Sequence, residues 1–166
     1  IIIYKNRLWK MIIGIIKGER RELRYFGYLI IGTLPIVIVG LLARDFIESS
    51  FSSPIIAGGG LLFTGTVLLS TKLIKRGNKN ISNIRWLDGL LVGLAQITAL
   101  LPGISRSGVT ISAGLNQKMD SEFAAEFSFF LMIPAVLGAN ILQFWDILTS
   151  SSNQIGNNLT PMIAGA

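Results

Sequence analysis

Three long apolar runs divide the chain and predict three helices that cross a membrane. They cover residues 25–43, 54–71 and 127–145, and none of them contains a charged residue. A helix needs about 20 residues to span about 30 Å of hydrocarbon, so each run is long enough or nearly so. Pro35 predicts a kink inside the first run, since neighbouring helices can satisfy the freed carbonyl. The glycines of the second run are expected to permit close helix packing.

A fourth uncharged stretch, between the second and third runs, is broken in its middle. Residues 89–105 hold no charge, but Pro102 and Gly103 interrupt them. Residues 107–117 add only about 11 positions, which are too few to cross the membrane alone. We therefore predict a re-entrant helix pair over residues 86–117, in which the second half-helix returns to the side from which the first one entered.

The distribution of basic residues supports this topology. Residues 4–24 hold seven Lys and Arg and residues 72–85 hold five, whereas residues 44–53 hold one and residues 146–160 hold none. Because basic residues mark short cytoplasmic loops, residues 118–126 must lie inside as well, and the chain must leave and return between the second and third runs. Two full crossings satisfy the same parity, but the second would be only about 11 residues long.

Composition agrees with a membrane protein and limits the chemistry. The 166 residues are 51% hydrophobic and 14% charged, with a mean hydropathy of +0.60, which exceeds what a soluble domain needs. Without cysteine or histidine, thiolate chemistry and the commonest proton shuttle are excluded. The net charge of +6 lies in the loops, so no nucleic-acid partner is predicted. The chain begins without methionine, and we expect residues 1–166 to be a single membrane domain cut at both ends.

Arg106 is the residue that the membrane prediction leaves unexplained. A charged side chain at mid-membrane costs at least about 2.5 kcal/mol and usually marks a substrate path or a partner. One interpretation is a structural ion pair with Asp88, Glu122 or Glu126. The other follows from its place directly after the break, at the start of the second half-helix, where unpaired N–H groups and the positive end of the helix dipole favour an anion.

The second interpretation predicts a phosphate cradle. The planar fork of Arg106 can bind two phosphate oxygens, hydroxyl groups can donate further hydrogen bonds, and glycines permit close backbone approach. Gln96, on the first half-helix, is either a further ligand or an interhelical hydrogen-bonding residue. We assign to catalysis Arg106, Ser105 and Thr110, and to phosphate binding Gly103, Ser107, Gly108 and Gln96.

The stretch DGLLVGLAQITALLPGISRSGVTISAGL, followed by AAEFSFFLMIPAVLGA, resembles the undecaprenyl-diphosphate phosphatase family, also called BacA. The family signature P-G-x-S-R-S-x-x-T is matched by Pro102, Gly103, Ser105, Arg106, Ser107 and Thr110. The resemblance implies a multi-pass enzyme of the plasma membrane that removes the terminal phosphate of undecaprenyl diphosphate. That reaction recycles the lipid carrier for cell-wall synthesis, and members of the family confer bacitracin resistance.

The resemblance also implies an all-α membrane bundle of two inverted repeats, each with a re-entrant helix pair, of which this chain matches the second. The family's first repeat supplies a glutamate-rich motif and a segment with Ser and His, and neither is found here. We therefore expect the nucleophile and the acid/base group upstream, and no activity from residues 1–166 alone. The resemblance also implies a divalent cation, Mg²⁺ or Ca²⁺, but its ligands cannot be assigned to residues of this sequence. The implied partners are the polyprenyl diphosphate and membrane lipids. The sequence leaves open whether the protein forms a homo-oligomer.

A transporter or flippase of an anionic lipid or another phosphate-containing substrate is the alternative function, because broken half-helices in inverted repeats also bind anions for translocation. The unrelated type-2 phosphatidate phosphatases use Ser-Arg followed by a catalytic His and Asp, but Ser112 and Asn116 stand at the corresponding positions. That assignment therefore fails. A purely structural membrane protein leaves Arg106 without a role.

Overall fold

The computed structural model describes residues 4–75 and 77–150, and over these ranges the fold is all-α, as predicted. The helices are α1 (Lys5–Ile16), α2 (Arg20–Leu42), α3 (Arg44–Ser50), α4 (Pro54–Ser70), α5 (Trp86–Ile97), α6 (Arg106–Asn116) and α7 (Ser121–Ser150). Short 3₁₀ turns, Thr71–Leu73 and Thr98–Leu100, follow α4 and α5. Residues up to Ala135 form one compact unit, and the second unit is described only as the last part of α7.

Among the described residues, three segments are long and apolar enough to cross a membrane, namely Arg20–Leu42, Pro54–Leu73 and Ser121–Ile141. They overlap the three predicted runs, and the chain is a multi-pass membrane protein. Their ends differ because a count of apolar residues begins where charge stops, whereas a helix includes charged turns outside the hydrocarbon. Thus α7 begins just after Asp120, which accepts a hydrogen bond from the N–H of Glu122 (3.1 Å) as a helix cap does. The sequence pattern did not predict α1 and α3.

Two short helices, α5 and α6, occupy the predicted re-entrant region 86–117. Its two ends lie side by side, since the N–H of Lys79 donates to the carbonyl of Lys118 and the N–H of Asp120 donates to the carbonyl of Lys79, both at 2.9 Å. The chain thus leaves this region next to where it enters. A hairpin requires this geometry, and the placement of the hairpin in a membrane stays a prediction.

Close packing of α5 on α2 depends on three glycines. A Cβ on Gly93 would overlap the carbonyl of Gly32, and a Cβ on Gly32 would lie 2.8 Å from the carbonyl oxygen of Gly89. A Cβ on Gly89 would in turn lie 2.8 Å from the carbonyl oxygen of Tyr28. Because lipid tails are as apolar as leucine, helices in a bilayer associate through such tight packing rather than through burial from water.

The glycines of α4 only partly meet the expectation of close packing. A Cβ on Gly60 would overlap the carbonyl of Pro102, so this glycine seats the break against α4. Gly58, Gly59 and Gly65 have no atom within 4 Å of the place where a Cβ would stand. The expectation is therefore correct for one glycine of the four, and that glycine is next to the candidate site.

An aromatic cluster forms the core where α2 meets α7. Tyr25 is 1% exposed, and its ring lies 6.0 Å from that of Phe123, 5.9 Å from that of Phe127 and 6.2 Å from that of Phe130 (centroid distances). Most of these ring pairs are tilted or edge-on, which suits the aromatic quadrupole. This core holds α7 against α2, and α5 packs on the same helix.

Substitution of Gly93 by alanine should destabilise the protein by about 1–3 kcal/mol, because the new methyl group would force α5 away from α2. Thermal unfolding in detergent measures the change. The matched control is Gly27→Ala in α2, since nothing lies within 4 Å of the added Cβ, and alanine is the better helix former. Equal effects of the two substitutions would contradict the packing described above.

The predicted topology can be tested with single cysteines, because residues 1–166 contain none. Ser82 and Ser121 are exposed and should react, as Ser82→Cys and Ser121→Cys, with an impermeant thiol reagent from the cytoplasmic side. Ser52→Cys, after α3, should react from the opposite side. Labelling of Ser82→Cys and Ser121→Cys from opposite sides would exclude a re-entrant pair.

Candidate active site

Arg106 is the first residue of α6, and Ser105 is the N-cap of that helix. The Ser105 Oγ accepts a hydrogen bond from the N–H of Gly108 (3.1 Å), as serine does at this position. Its own proton has no acceptor in the described part of the chain, nor do the N–H groups of Arg106 and Ser107. The start of α6 therefore presents two free amides and one hydroxyl donor next to a guanidinium.

Gln96 on α5 faces Arg106 across the break. The Nε of Arg106 donates to the Oε1 of Gln96 (3.3 Å), and because guanidinium groups only donate, the amide oxygen must face the arginine. Gln96 is fully buried, and its Nε2 has no acceptor among the described residues. A buried donor without a partner is costly, so Gln96 both joins the two half-helices and carries a donor that is left without an acceptor among the described residues.

The ion-pair interpretation of Arg106 is wrong for the residues that the structure describes. Asp88 pairs with Lys79 (2.8 Å), Glu126 pairs with Arg7 (3.0 Å), and Glu122 is exposed and forms no ion pair with Arg106. No carboxylate lies within ion-pair distance of Arg106 over residues 4–75 and 77–150. Arg106 is only partly exposed, and among the described residues no carboxylate compensates the charge of its guanidinium and no acceptor is hydrogen-bonded to its two terminal nitrogens.

Thr64 on α4 fixes the break, and the sequence pattern did not identify it. Its Oγ1 accepts a hydrogen bond from the N–H of Ser105 (3.0 Å) and donates toward the carbonyls of Gly60 (2.9 Å) and Gly103 (3.3 Å). Thr64 lies 41 residues before Ser105 in the chain. A polar residue in an apolar run was the one signal available for this role.

The two predicted glycines make room for protein atoms. Gly103 has φ +83°, a left-handed conformation that suits glycine, and a Cβ there would overlap the carbonyl of Ala57 on α4. A Cβ on Gly108 would lie 3.1 Å from both the Cβ and the Oγ of Ser105, against the cap itself. These contacts explain why both positions are small, and direct approach of their backbone to a phosphate stays a prediction.

Thr110 lies on another side of α6 from the free donors. It is 1% exposed, and its Oγ1 donates to the carbonyl of Arg106 (2.8 Å) and lies 2.5 Å from the Oγ of Ser128 on α7. The hydroxyl is thereby engaged within the protein, whereas Ser107 is exposed. Of the predicted hydroxyl groups, those of Ser105 and Ser107 lie at the open end of the helix, and that of Thr110 is a support behind it.

The whole chain, residues 1–166, matches the family described as bacitracin resistance protein BacA. The chain belongs to this family. It is 37% identical over 156 residues to the undecaprenyl-diphosphatase of Methanococcus maripaludis, a match that covers 94% of this chain and 63% of the relative. It is 43% identical over 137 residues to undecaprenyl-diphosphatase 4 of Bacillus thuringiensis, covering 82% of this chain and 52% of the relative.

A third BacA relative, the undecaprenyl-diphosphatase of Methanobrevibacter smithii, is 44% identical over 127 residues, which are 76% of this chain and 46% of that protein. The chain therefore spans about half to two-thirds of the length of these relatives. Membership of the BacA family confirms the resemblance noted in the sequence. The signature that carried that resemblance lies at the break and the start of α6.

A divalent cation does not fit the described part of this BacA chain by itself. Over residues 4–75 and 77–150 no group of three or more acidic, His or Cys side chains stands close enough together to hold a metal ion. Around Arg106 the described side chains are an amide, hydroxyl groups and the guanidinium, whereas Mg²⁺ and Ca²⁺ are held mainly by carboxylates. No step of the chemistry is assigned to a metal here.

Glu126 belongs to a network of ion pairs centred on Arg7, away from Arg106. Arg7 on α1 donates to Glu22 on α2 and to Glu126 on α7, each at 3.0 Å, and its Cζ lies 5.3 Å from the centre of the Tyr25 ring. Burial alone would lower the pKa of Arg7, but the two carboxylates more than offset this and raise it. The network ties three helices together and leaves Glu126 engaged by a cation, as a structural carboxylate.

Proposed function

We propose that this chain forms the phosphate-binding part of an enzyme that hydrolyses undecaprenyl diphosphate to the monophosphate and inorganic phosphate at the plasma membrane. The observation that carries the proposal is Arg106 at the N-terminus of a helix with no carboxylate partner in the described ranges, beside the unpartnered Nε2 of Gln96. The relatives named undecaprenyl-diphosphatase support hydrolysis, and no observation favours transport.

The charge at this place favours an anion. The amino end of a helix carries a partial positive charge, so an arginine there adds charge of the same sign where a carboxylate would ordinarily be preferred. In a medium of low dielectric both charges are poorly screened. A diphosphate reconciles them, because its oxygens can accept from the guanidinium, from the amides of Arg106 and Ser107, from the Ser105 hydroxyl and from the Gln96 amide.

The geometry of Arg106 suits a phosphate in particular. Its Nε is turned toward Gln96, which fixes the plane of the guanidinium and leaves the two terminal nitrogens to bind two oxygens of one phosphoryl group. A point charge such as an ammonium group cannot reproduce this arrangement. We therefore assign Arg106 to the terminal phosphate of the lipid diphosphate.

In the proposed reaction a water oxygen attacks the terminal phosphorus and gives up a proton to the acid/base group expected outside residues 1–166, and the bond from that phosphorus to the bridging oxygen breaks. The bridging oxygen leaves with the lipid monophosphate, and negative charge spreads over the oxygens of the transferred group. Donors that are already in position stabilise this charge without reorganisation, and here they are Arg106 and the start of α6.

The remaining catalytic groups are proposed to come from outside this chain. Asp88 on α5 is buried, and Glu126 on α7 is half-buried. These two carboxylates are paired with Lys79 and Arg7 and are not available as bases. We propose that the nucleophile activator and the ligands of any Mg²⁺ or Ca²⁺ lie in the part of the relatives that this chain does not span, and that residues 1–166 alone do not turn over.

Substitution of Arg106 by lysine in the full-length protein should lower phosphate release from a polyprenyl diphosphate by at least about 100-fold, because the charge stays but the fork is lost. Thermal unfolding should change little, since Arg106 forms no ion pair with the described residues. The matched control is Arg44→Lys, at an exposed arginine that pairs with Glu48 within α3 (2.9 Å), and it should keep near-normal turnover. Near-normal turnover of Arg106→Lys would refute the proposed role.

A further inference from the structure

Ser128 on α7 is unlike the other buried hydroxyl residues of this fold. Thr33 and Ser112, for example, each donate to the carbonyl four residues earlier in their own helix (2.8 and 2.7 Å), which is the common arrangement for Ser and Thr in apolar helices. Ser128 is 6% exposed, and its one recorded hydrogen bond in the described part of the chain crosses to Thr110 on α6, with 2.5 Å between the two oxygens.

The direction of the hydrogen bonds follows from counting protons. Each hydroxyl has one proton to donate. The Thr110 Oγ1 lies 2.8 Å from the carbonyl oxygen of Arg106 and 3.3 Å from that of Ser107, and a carbonyl oxygen can only accept. The Thr110 proton therefore goes to a carbonyl, chiefly the nearer one of Arg106, and Ser128 donates to Thr110. The result is a chain of hydrogen bonds that runs from α7 to the first residue of α6.

The chain ends on the peptide group that bears one of the free donors of the site. The carbonyl of Arg106 and the N–H of Ser107 belong to the same planar peptide unit, so the orientation of one determines that of the other. A hydrogen bond accepted by the carbonyl also polarises the N–H on the opposite edge, and bonds in series reinforce one another. Ser128 thus acts on the Ser107 amide without touching it.

We propose that Ser128 is a positioning residue, which through Thr110 orients and polarises the Ser107 N–H toward a phosphate oxygen. The inference rests on the proposed function. It also gives Thr110 a role different from direct contact with the phosphate, because the only proton of its hydroxyl is donated to backbone carbonyls, chiefly that of Arg106. Ser128 lies outside the P-G-x-S-R-S-x-x-T stretch, and only the folded structure brings it into contact with Thr110.

The kinetic test uses the full-length protein and phosphate release from a polyprenyl diphosphate. Ser128→Ala should lower kcat about five- to tenfold, as expected for one hydrogen bond that acts mainly in the transition state, with KM changed less than about twofold. Thr110→Val should cause a similar or larger loss. Adding Ser128→Ala to Thr110→Val should cause no further loss, because the chain is already interrupted.

The matched control is Ser112→Ala, which removes a hydroxyl that is equally buried in α6 but is bonded to the carbonyl of Gly108. It should keep kcat within about twofold of the unsubstituted protein. An unchanged kcat in Ser128→Ala, an equal loss in Ser112→Ala, or additive losses in the double variant would each overturn the proposal.

A second measurement needs no turnover. Residues 1–166 contain a single Arg-Ser pair, so ¹³C′-arginine with ¹⁵N-serine labelling selects the Ser107 amide within this part of the full-length protein, and its signal is assigned by its loss in Ser107→Ala. The amide proton should shift upfield in Ser128→Ala and stay in place in Ser112→Ala. An unmoved signal in Ser128→Ala would overturn the positioning role. Activity of Arg106→Lys, by contrast, would refute the proposed function whatever the Ser107 signal does.

Discussion

An arginine without a counter-charge among the described residues, placed at the positive end of a helix inside an apolar bundle, is the constraint on which this structure depends. At mid-membrane, where the predicted re-entrant pair would place it, a cation costs at least about 2.5 kcal/mol, and the helix dipole adds to the cost. The described carboxylates that could have relieved it, Asp88 and Glu126, are paired with other cations. The fold therefore keeps Arg106 in a state that an anion stabilises.

The surrounding helices hold that arrangement in place from three sides. The α4 helix binds the break through Thr64 and accommodates it at Gly60, α5 fixes the guanidinium plane through Gln96, and α7 reaches the first peptide of α6 through Ser128. Each contact crosses between helices, and the contact of α4 with the break depends on a close backbone approach at Gly60 that a side chain larger than hydrogen would prevent. Tight packing and preorganised donors are thus two aspects of one design.

Much of the fold and part of the site follow from local sequence. Apolar runs, a central Pro102-Gly103 break and clustered basic residues are properties of neighbouring positions, so they predict three spanning helices and the place of Arg106 between Ser105 and Ser107. Hydropathy did not predict α1, α3 or the exact residues at which the spanning helices begin, because these parts of the helices contain polar and charged residues. Thr64 and Ser128 could not be identified from the sequence because their hydrogen-bond partners are distant along the chain. For the same reason the sequence did not predict that the Thr110 hydroxyl is bonded to Ser128 rather than directed at a phosphate.

The most direct test of the central claim is the structure of the full-length protein bound to a polyprenyl methylenediphosphonate, which cannot be hydrolysed at the bridge. The account predicts phosphonate oxygens at hydrogen-bond distance, about 2.7–3.2 Å, from the terminal nitrogens of Arg106, the N–H of Ser107 and the Nε2 of Gln96. A diphosphonate bound elsewhere, with the guanidinium of Arg106 engaged by a carboxylate from another part of the protein, would contradict it.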